Sequence, residues 1–224
     1  MATIIKYLDK FLALYEPKGA KYLWREVQKK YTESTVDFII SKMPEALFCA
    51  NSFDILEYAV SLKKPGIIAE FGVYSGKTIN HIASFATNDT IYGFDSFEGL
   101  PEQWGGFIYA KKMFDRKGNM PEVANNVKLI KGWFDQTVPY FFEQQNKPIS
   151  ILHIDCDIYI STKIVLNAAM PFIQSGTILI FDEFFNYPGY QNHEFKAFFE
   201  FIDKSKKEYD FIAYSGNQVA VKIK

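Results

Sequence analysis

Residues 209–224 read YDFIAYSGNQVAVKIK. Two β-rich runs, 211–214 and 219–223, flank Ser215-Gly216-Asn217, a hairpin turn signal. This hairpin breaks the rhythm of everything upstream of it. From residue 66 onward, short apolar runs alternate with segments of helical spacing. Strands are expected over 66–72, 90–96, 127–133, 150–157 and 177–182, and helices over 75–85, 135–145, 161–174 and 193–204. Such alternation predicts a parallel sheet with helices on both faces. Nearly all-apolar runs such as TILIF fit strands buried on both sides. Five such strands closed by the hairpin predict an α/β, doubly wound, Rossmann-like fold with a mostly parallel, seven-stranded sheet and a C-terminal antiparallel hairpin.

Before residue 65 the apolar residues recur at helical spacing. Ile4, Ile5, Leu8, Leu12 and Tyr15 form one stripe, Val36, Phe38, Ile39, Ile40 and Met43 a second, and Phe53, Leu56, Ala59 and Val60 a third. The chain therefore divides into an N-terminal helical extension, 1–64, and an α/β domain, 65–224.

Composition excludes several classes of protein. With 48% apolar residues in 224, a full core is available. A formal net charge of −1 without a long basic block disfavours nucleic acid or an anionic membrane as the main partner. The two cysteines, Cys49 and Cys156, make no disulfide framework, and Cys156 reads as a small buried thiol. No apolar run reaches the roughly 18 residues of a membrane span. Asp9, Lys10 and Glu16 interrupt the first apolar stretch, unlike a signal peptide. The expectation is a cytoplasmic protein, and a homo-oligomer is compatible with it.

The first strand runs into a turn, GIIAEFGVYSGKT at 66–78. A phosphate loop needs four residues between its first Gly and Gly-Lys-[Ser/Thr]. Only three separate Gly72 from Gly76, so Lys77 is a poor phosphate lysine and a nucleotide-dependent enzyme is disfavoured. A dinucleotide fingerprint fails as well, because Tyr74 stands where its second Gly belongs. What remains is an acid, Glu70, followed by a glycine turn that lets a ligand approach the backbone.

Ligands of open parallel sheets bind beyond the carboxyl ends of the strands. Acids stand at four of the five expected ends: Glu70, then Asp95, then Asp155 with Asp157, then Asp182 with Glu183. One acid at a strand end is ordinary, since it can cap the next helix. So many on one edge repel one another unless cations or hydrogen bonds compensate. Asp95, at the end of the second strand, suits the two hydroxyls of a ribose. Asp155, Asp182 and Glu183 offer three oxygen ligands to a hard cation such as Mg²⁺. Asp157 points to the same side as Asp155 if the strand persists, and suits a proton acceptor. His153 shares that parity, as a hydrogen-bonded core histidine or as a second acceptor. Trp133 and Phe134 follow the third strand, where aromatics stack on a base or simply pack. Tyr159, Phe184, Phe185, Tyr187, Tyr190 and His193 are candidates for an acceptor pocket or for packing. The long connection 98–122 reads as a lid or as a surface insertion.

The runs EFGVYSGKT, YGFDSFEGLPEQW, KGWFDQTVP, LHIDCDIYISTK and GTILIFDEF resemble the macrocin O-methyltransferase family over roughly residues 56–201. FDSFEGLP and the HID-x-D-x-Y-x-ST run are the most specific. The resemblance implies a class I methyltransferase fold, S-adenosylmethionine and Mg²⁺ as cofactors, and a small-molecule acceptor whose hydroxyl is methylated, such as a deoxysugar. It implies that Asp155, Asp182 and Glu183 hold the metal and that Asp157 is the general base, with His153 beside it. Glu70, Gly72, Tyr74, Ser75, Asp95, Ser96 and Asp155 become cofactor contacts, and Trp133 and Phe134 flank the adenine. Two departures stand out: Glu183 where the family often has Asp, and Cys156 where it often has Gly. A catechol-like phenol as acceptor and a non-catalytic S-adenosyl-ligand-binding protein stay open as alternatives.

Overall fold

The computed structural model describes residues 19–104 and 112–224. The elements in chain order are α1 (Ala20–Lys42), β1 (Leu47–Phe48), α2 (Ser52–Ser61), β2 (Ile67–Phe71), α3 (Lys77–Phe85), β3 (Ile91–Asp95) and β4 (Val127–Lys131). They continue with α4 (Phe134–Gln145), β5 (Ile149–Ile154), α5 (Tyr159–Ala169), β6 (Ile178–Phe181), α6 (Glu194–Ser205), β7 (Tyr209–Ser215) and β8 (Gln218–Ile223). The sheet order is β1-β7-β8-β6-β5-β2-β3-β4. Only β8 runs antiparallel, to both β6 and β7. The hairpin closes where Ser215 pairs with Gln218. This is the doubly wound, mostly parallel sheet with a C-terminal antiparallel hairpin expected from the alternation and the tail.

The sheet has one strand more than the seven expected. Leu47 and Phe48 pair in parallel with Ala213 and Tyr214 at the edge, inside the stretch read as helical. Two residues are too few to leave a period-2 pattern, so the strand is silent in the sequence. Around it, α1 and α2 are the helices expected there. Asn51 starts α2, its Oδ1 accepting the N–H groups of Phe53 and Asp54. The stripe ending at Tyr15 lies outside the described residues. No described helix is long and apolar enough to cross a membrane.

Every residue of β2, β5 and β6 is buried, as their apolar runs require. Alternation sends their side chains to two cores. Ala69, Phe71, Leu152, Ile154, Leu179 and Phe181 face one, with α4, α5 and α6. Ile68, Ile151, Ile178 and Ile180 face the other, with α2 and α3. Glu70 and His153 share the parity of this second set and are register partners on β2 and β5. The strand order reverses between those two strands, so their carboxyl ends open a crevice.

Candidate active site

One wall of the crevice is the turn after β2. Gly72 has φ +96, and a Cβ there would lie 1.8 Å from the Asp155 carbonyl oxygen. Only glycine lets β2 and the end of β5 come this close. The turn is tied to the end of β3 by one side chain. Asp95 Oδ2 accepts the N–H groups of Val73 at 2.9 Å and Tyr74 at 2.7 Å, and Oδ1 accepts that of Phe97 at 2.7 Å. Ser96 Oγ accepts the Glu98 N–H and donates to the Gly99 carbonyl.

The other wall is acidic. Past β5 the chain makes a tight turn in which the Ile158 N–H donates to the Cys156 carbonyl at 2.6 Å. The residue between them, Asp157, has φ +61, a conformation that costs a non-glycine residue energy. Among the described residues, no protein group donates a hydrogen bond to the side chain of Asp155 or Asp157. Burial, then the carboxylates of Asp182 and Asp157, raise the Asp155 carboxyl well above its ordinary range. Burial, then Glu183 and Asp182, do the same to Asp157. Burial and Asp182 push Glu183 up to about 7, against a hydrogen bond from Asn217.

Beneath this wall lies a polar relay. His153 Nδ1 is 2.9 Å from Glu70 Oε2, and its Nε2 is 3.5 Å from Asp182 Oδ1. The second distance is that of an ion pair rather than of a formed hydrogen bond, and Nε2 has no hydrogen-bond partner among the described residues. Thr78 donates to Glu70, and Gln218 donates to Asp182. Burial alone would lower the His153 pKa, but Asp182 and Glu70 outweigh it and hold the imidazole well above its ordinary value. Burial likewise opposes ionisation of Asp182, yet His153 and Gln218 bring its carboxyl below the usual range. One histidine thus stands among the carboxyls of Glu70, Asp155 and Asp182, with those of Asp157 and Glu183 beyond them. The surplus needs protons or a cation. His153, Asp155 and Asp182 each present a ligand atom, all within 4.8 Å of one another. The donor set and the partnerless Nε2 fit a divalent cation.

Between the two walls is a cavity of about 380 Å³, within the range of small-molecule and cofactor sites. Residues 69–184 match the model of a methyltransferase domain family, more than half of the 224-residue chain. The chain belongs to this methyltransferase family. Among solved structures, the methyltransferase resembles CalS11, a calicheamicin methyltransferase, with a TM-score of 0.61 and 22% identity over 92% of this chain and 93% of that one. An apo structure of CalS11, there a TDP-rhamnose 3'-O-methyltransferase, matches at 0.55 and 22% over 92% and 95%. The O-methyltransferase NovP matches at 0.56 and 22% over 76% and 78%. At such identity the likeness is one of fold. No curated protein matches the sequence significantly.

Of the methyltransferase residues singled out in the sequence, Gly72, Tyr74, Asp95, Ser96, Trp133, Phe134, Asp155 and Asp157 line the cavity. Others stand apart from it. Ser75 is exposed at the turn. Glu70 and His153 are fully buried one layer behind, held by each other. Asp182 and Glu183 sit at the end of β6, and Glu183 is not among the three clustered ligand atoms. Phe184 and Phe185 are fully buried in an aromatic cluster with Phe38 and do not border the cavity. Within 98–122, residues 105–111 lie outside the described part. The remainder is pinned: Arg116 and Gly118 donate N–H groups to the Phe97 carbonyl, and Phe114 packs on Tyr74. Leu100, Gln136 and Ser161 also line the cavity; they lie within the quoted runs but were not singled out, and Phe114, which lines it too, lies outside those runs. Glu194, fully buried behind both acid loops, was not singled out either.

Proposed function

We propose that the chain is an S-adenosylmethionine- and Mg²⁺-dependent O-methyltransferase of the macrocin type, acting on a hydroxyl of a sugar or a glycosylated natural product. The observation that carries this reading is the pairing of walls around one cavity: the Asp95-tied glycine turn on one side, Asp155 and Asp157 on the other. When bound, the sulfonium would supply an electrophilic methyl group and the cation would make the acceptor hydroxyl more acidic. The residues of the chain then divide the work. Gly72, Tyr74, Asp95 and Ser96 bind the cofactor, with Trp133 and Phe134 beside its base. A carboxylate offers about four lone-pair sites. Backbone amides take three on Asp95, which leaves room for a ribose hydroxyl. Glu70 and His153 support this floor from behind, and Ser75 approaches the cofactor only if the turn adjusts. Asp155 and Asp182 would hold the cation, with Glu183 direct or through water and His153 Nε2 within reach of the same site. Asp157 accepts the hydroxyl proton, and its raised proton affinity suits that task. Holding the acceptor oxygen in line with the methyl group is the larger part of catalysis.

The O-methyltransferases CalS11 and NovP share the fold, which supports an oxygen acceptor. A net charge of −1 and a pI near 6.3 support a small molecule over nucleic acid or a membrane surface, with the cytoplasm as the place of action. On this reading residues 65–224 form the methyltransferase domain and 1–64 extend it. The test is methyl transfer from labelled S-adenosylmethionine to a panel of nucleotide deoxysugars, glycosylated aglycones and catechols. Transfer to a sugar hydroxyl that stops with chelator and returns with Mg²⁺ is expected. Preference for catechols would replace the acceptor, and full activity in excess chelator would reject the metal.

A further inference from the structure

Glu194 opens α6 and is completely buried, yet it does not line the cavity between the two walls. Its two oxygens reach two different loops. Oε1 accepts the N–H of Cys156, between Asp155 and Asp157, at 3.3 Å. Oε2 accepts the N–H of Glu183, next to Asp182, at 3.0 Å. Thus one carboxyl from a helix bridges the two loops that carry the acidic wall. The first of these loops is the strained one, with Asp157 at φ +61. Strain of that kind persists only where its surroundings over-determine it. A buried acid without a cationic partner is also costly, so a fold that retains one needs a compensating use for it.

We propose that Glu194 is a positioning residue that clasps the backbone of the two acid loops and sets the separation of Asp155 from Asp182. The inference rests on the metal-dependent reading above and adds to it a residue that meets neither cofactor nor acceptor. The chemistry of the clasp is specific. Both loops present N–H donors, so the bridge needs two acceptors at one reach. Glutamine has the same shape but only one acceptor, and its amide N–H₂ would face a donor. Aspartate keeps the carboxyl but falls one methylene short.

Mn²⁺ affinity, followed by paramagnetic resonance, and S-adenosylhomocysteine affinity, by calorimetry, are to be measured on wild type, Glu194→Gln and Glu194→Asp. A positioning role predicts that both variants melt cooperatively and bind S-adenosylhomocysteine within about threefold of wild type. Both should lose Mn²⁺ affinity by about 10–100-fold, the usual scale for outer-shell partners of a metal site. Retained Mn²⁺ affinity in both variants would mean packing only. Retained affinity in Glu194→Asp with loss in Glu194→Gln would mean that a carboxyl suffices whatever its reach. Either result overturns the clasp. If wild type binds no Mn²⁺, the metal reading fails separately, and amide exchange at Cys156 and Glu183 decides on the clasp. Faster exchange at both in Glu194→Asp supports it, and unchanged exchange rejects it. Should Glu194→Gln not fold, the aspartate variant carries the same reading.

Discussion

The two walls of the cavity treat their carboxylates in opposite ways. Asp95 is satisfied: three backbone N–H groups converge on it, and it holds the glycine turn in shape. Asp155 and Asp157 receive no such donors among the described residues, and, apart from His153 beside Asp155, the charged groups that act on them are other acids. A carboxylate surrounded by donors organises its own protein. Carboxylates that face one another are arranged for something that arrives, a proton or a cation. The same residue type at the same kind of strand end thus serves as a fastening on one side and, on the reading proposed above, as a reactive group on the other.

The largest effect should come from the unsatisfied side. Asp157→Asn keeps the shape of the turn but cannot take a proton. Steady-state kinetics should show kcat reduced by about 10²–10⁴, with S-adenosylhomocysteine affinity near wild type. Rescue of the rate by saturating Mg²⁺ would move Asp157 into the metal set. On the fastened side the expected loss is of stability. Gly72→Ala places a methyl group against the Asp155 carbonyl in a left-handed conformation. Urea unfolding should show a loss of about 3 kcal/mol or more, from strain and displaced backbone together. Asp95→Ala should cost less, about 1–3 kcal/mol, for the amides it leaves unpaired. It should weaken S-adenosylhomocysteine binding as well. Loss of binding without loss of stability would mean that Asp95 serves the cofactor alone.

A smaller effect follows from protonation. Glu183 is raised from 4.5 to about 7, so the folded state holds a proton there that the unfolded state has released. Stability therefore falls as pH rises through that window. His153, also raised, acts in the same direction: its contribution is present at low pH and is lost as the imidazolium deprotonates. Without cation, the melting temperature should decline between pH 4.5 and about 7, and Mg²⁺ should flatten the decline. A melting temperature that rises over this interval would show that the acids are already compensated.

Much of this was legible in the sequence, because strand ends and acids share one periodicity. The runs IIAEF and ILIF declare buried strands, and the residue that follows each apolar run marks the edge. What the sequence hid is what the side chains do once there. Glu70 is an acid on a strand face and looks like a ligand contact, yet register pairs it with His153 in the core. Glu183 follows Asp182 directly, but the ligand atoms gather His153 instead. Glu194 left a readable trace: it occupies the buried face of α6 with Ala197, Phe198 and Phe201, at i, i+3, i+4 and i+7. An acid on an apolar stripe is a signal that only its partners could explain, and those lie 38 and 11 residues away. The strand Leu47–Phe48 left no trace at all.

On the proposed reading the acidic wall takes up a divalent cation. Calorimetric titration of Mn²⁺ into wild type and Asp182→Asn, in two buffers of different ionisation enthalpy, tests it most directly. Cation binding must displace protons from carboxyls held above their ordinary range. One saturable site per chain is expected, with an apparent enthalpy that changes with the buffer and loss of that site in Asp182→Asn. The absence of saturable binding in wild type, or identical binding in the variant, would contradict it.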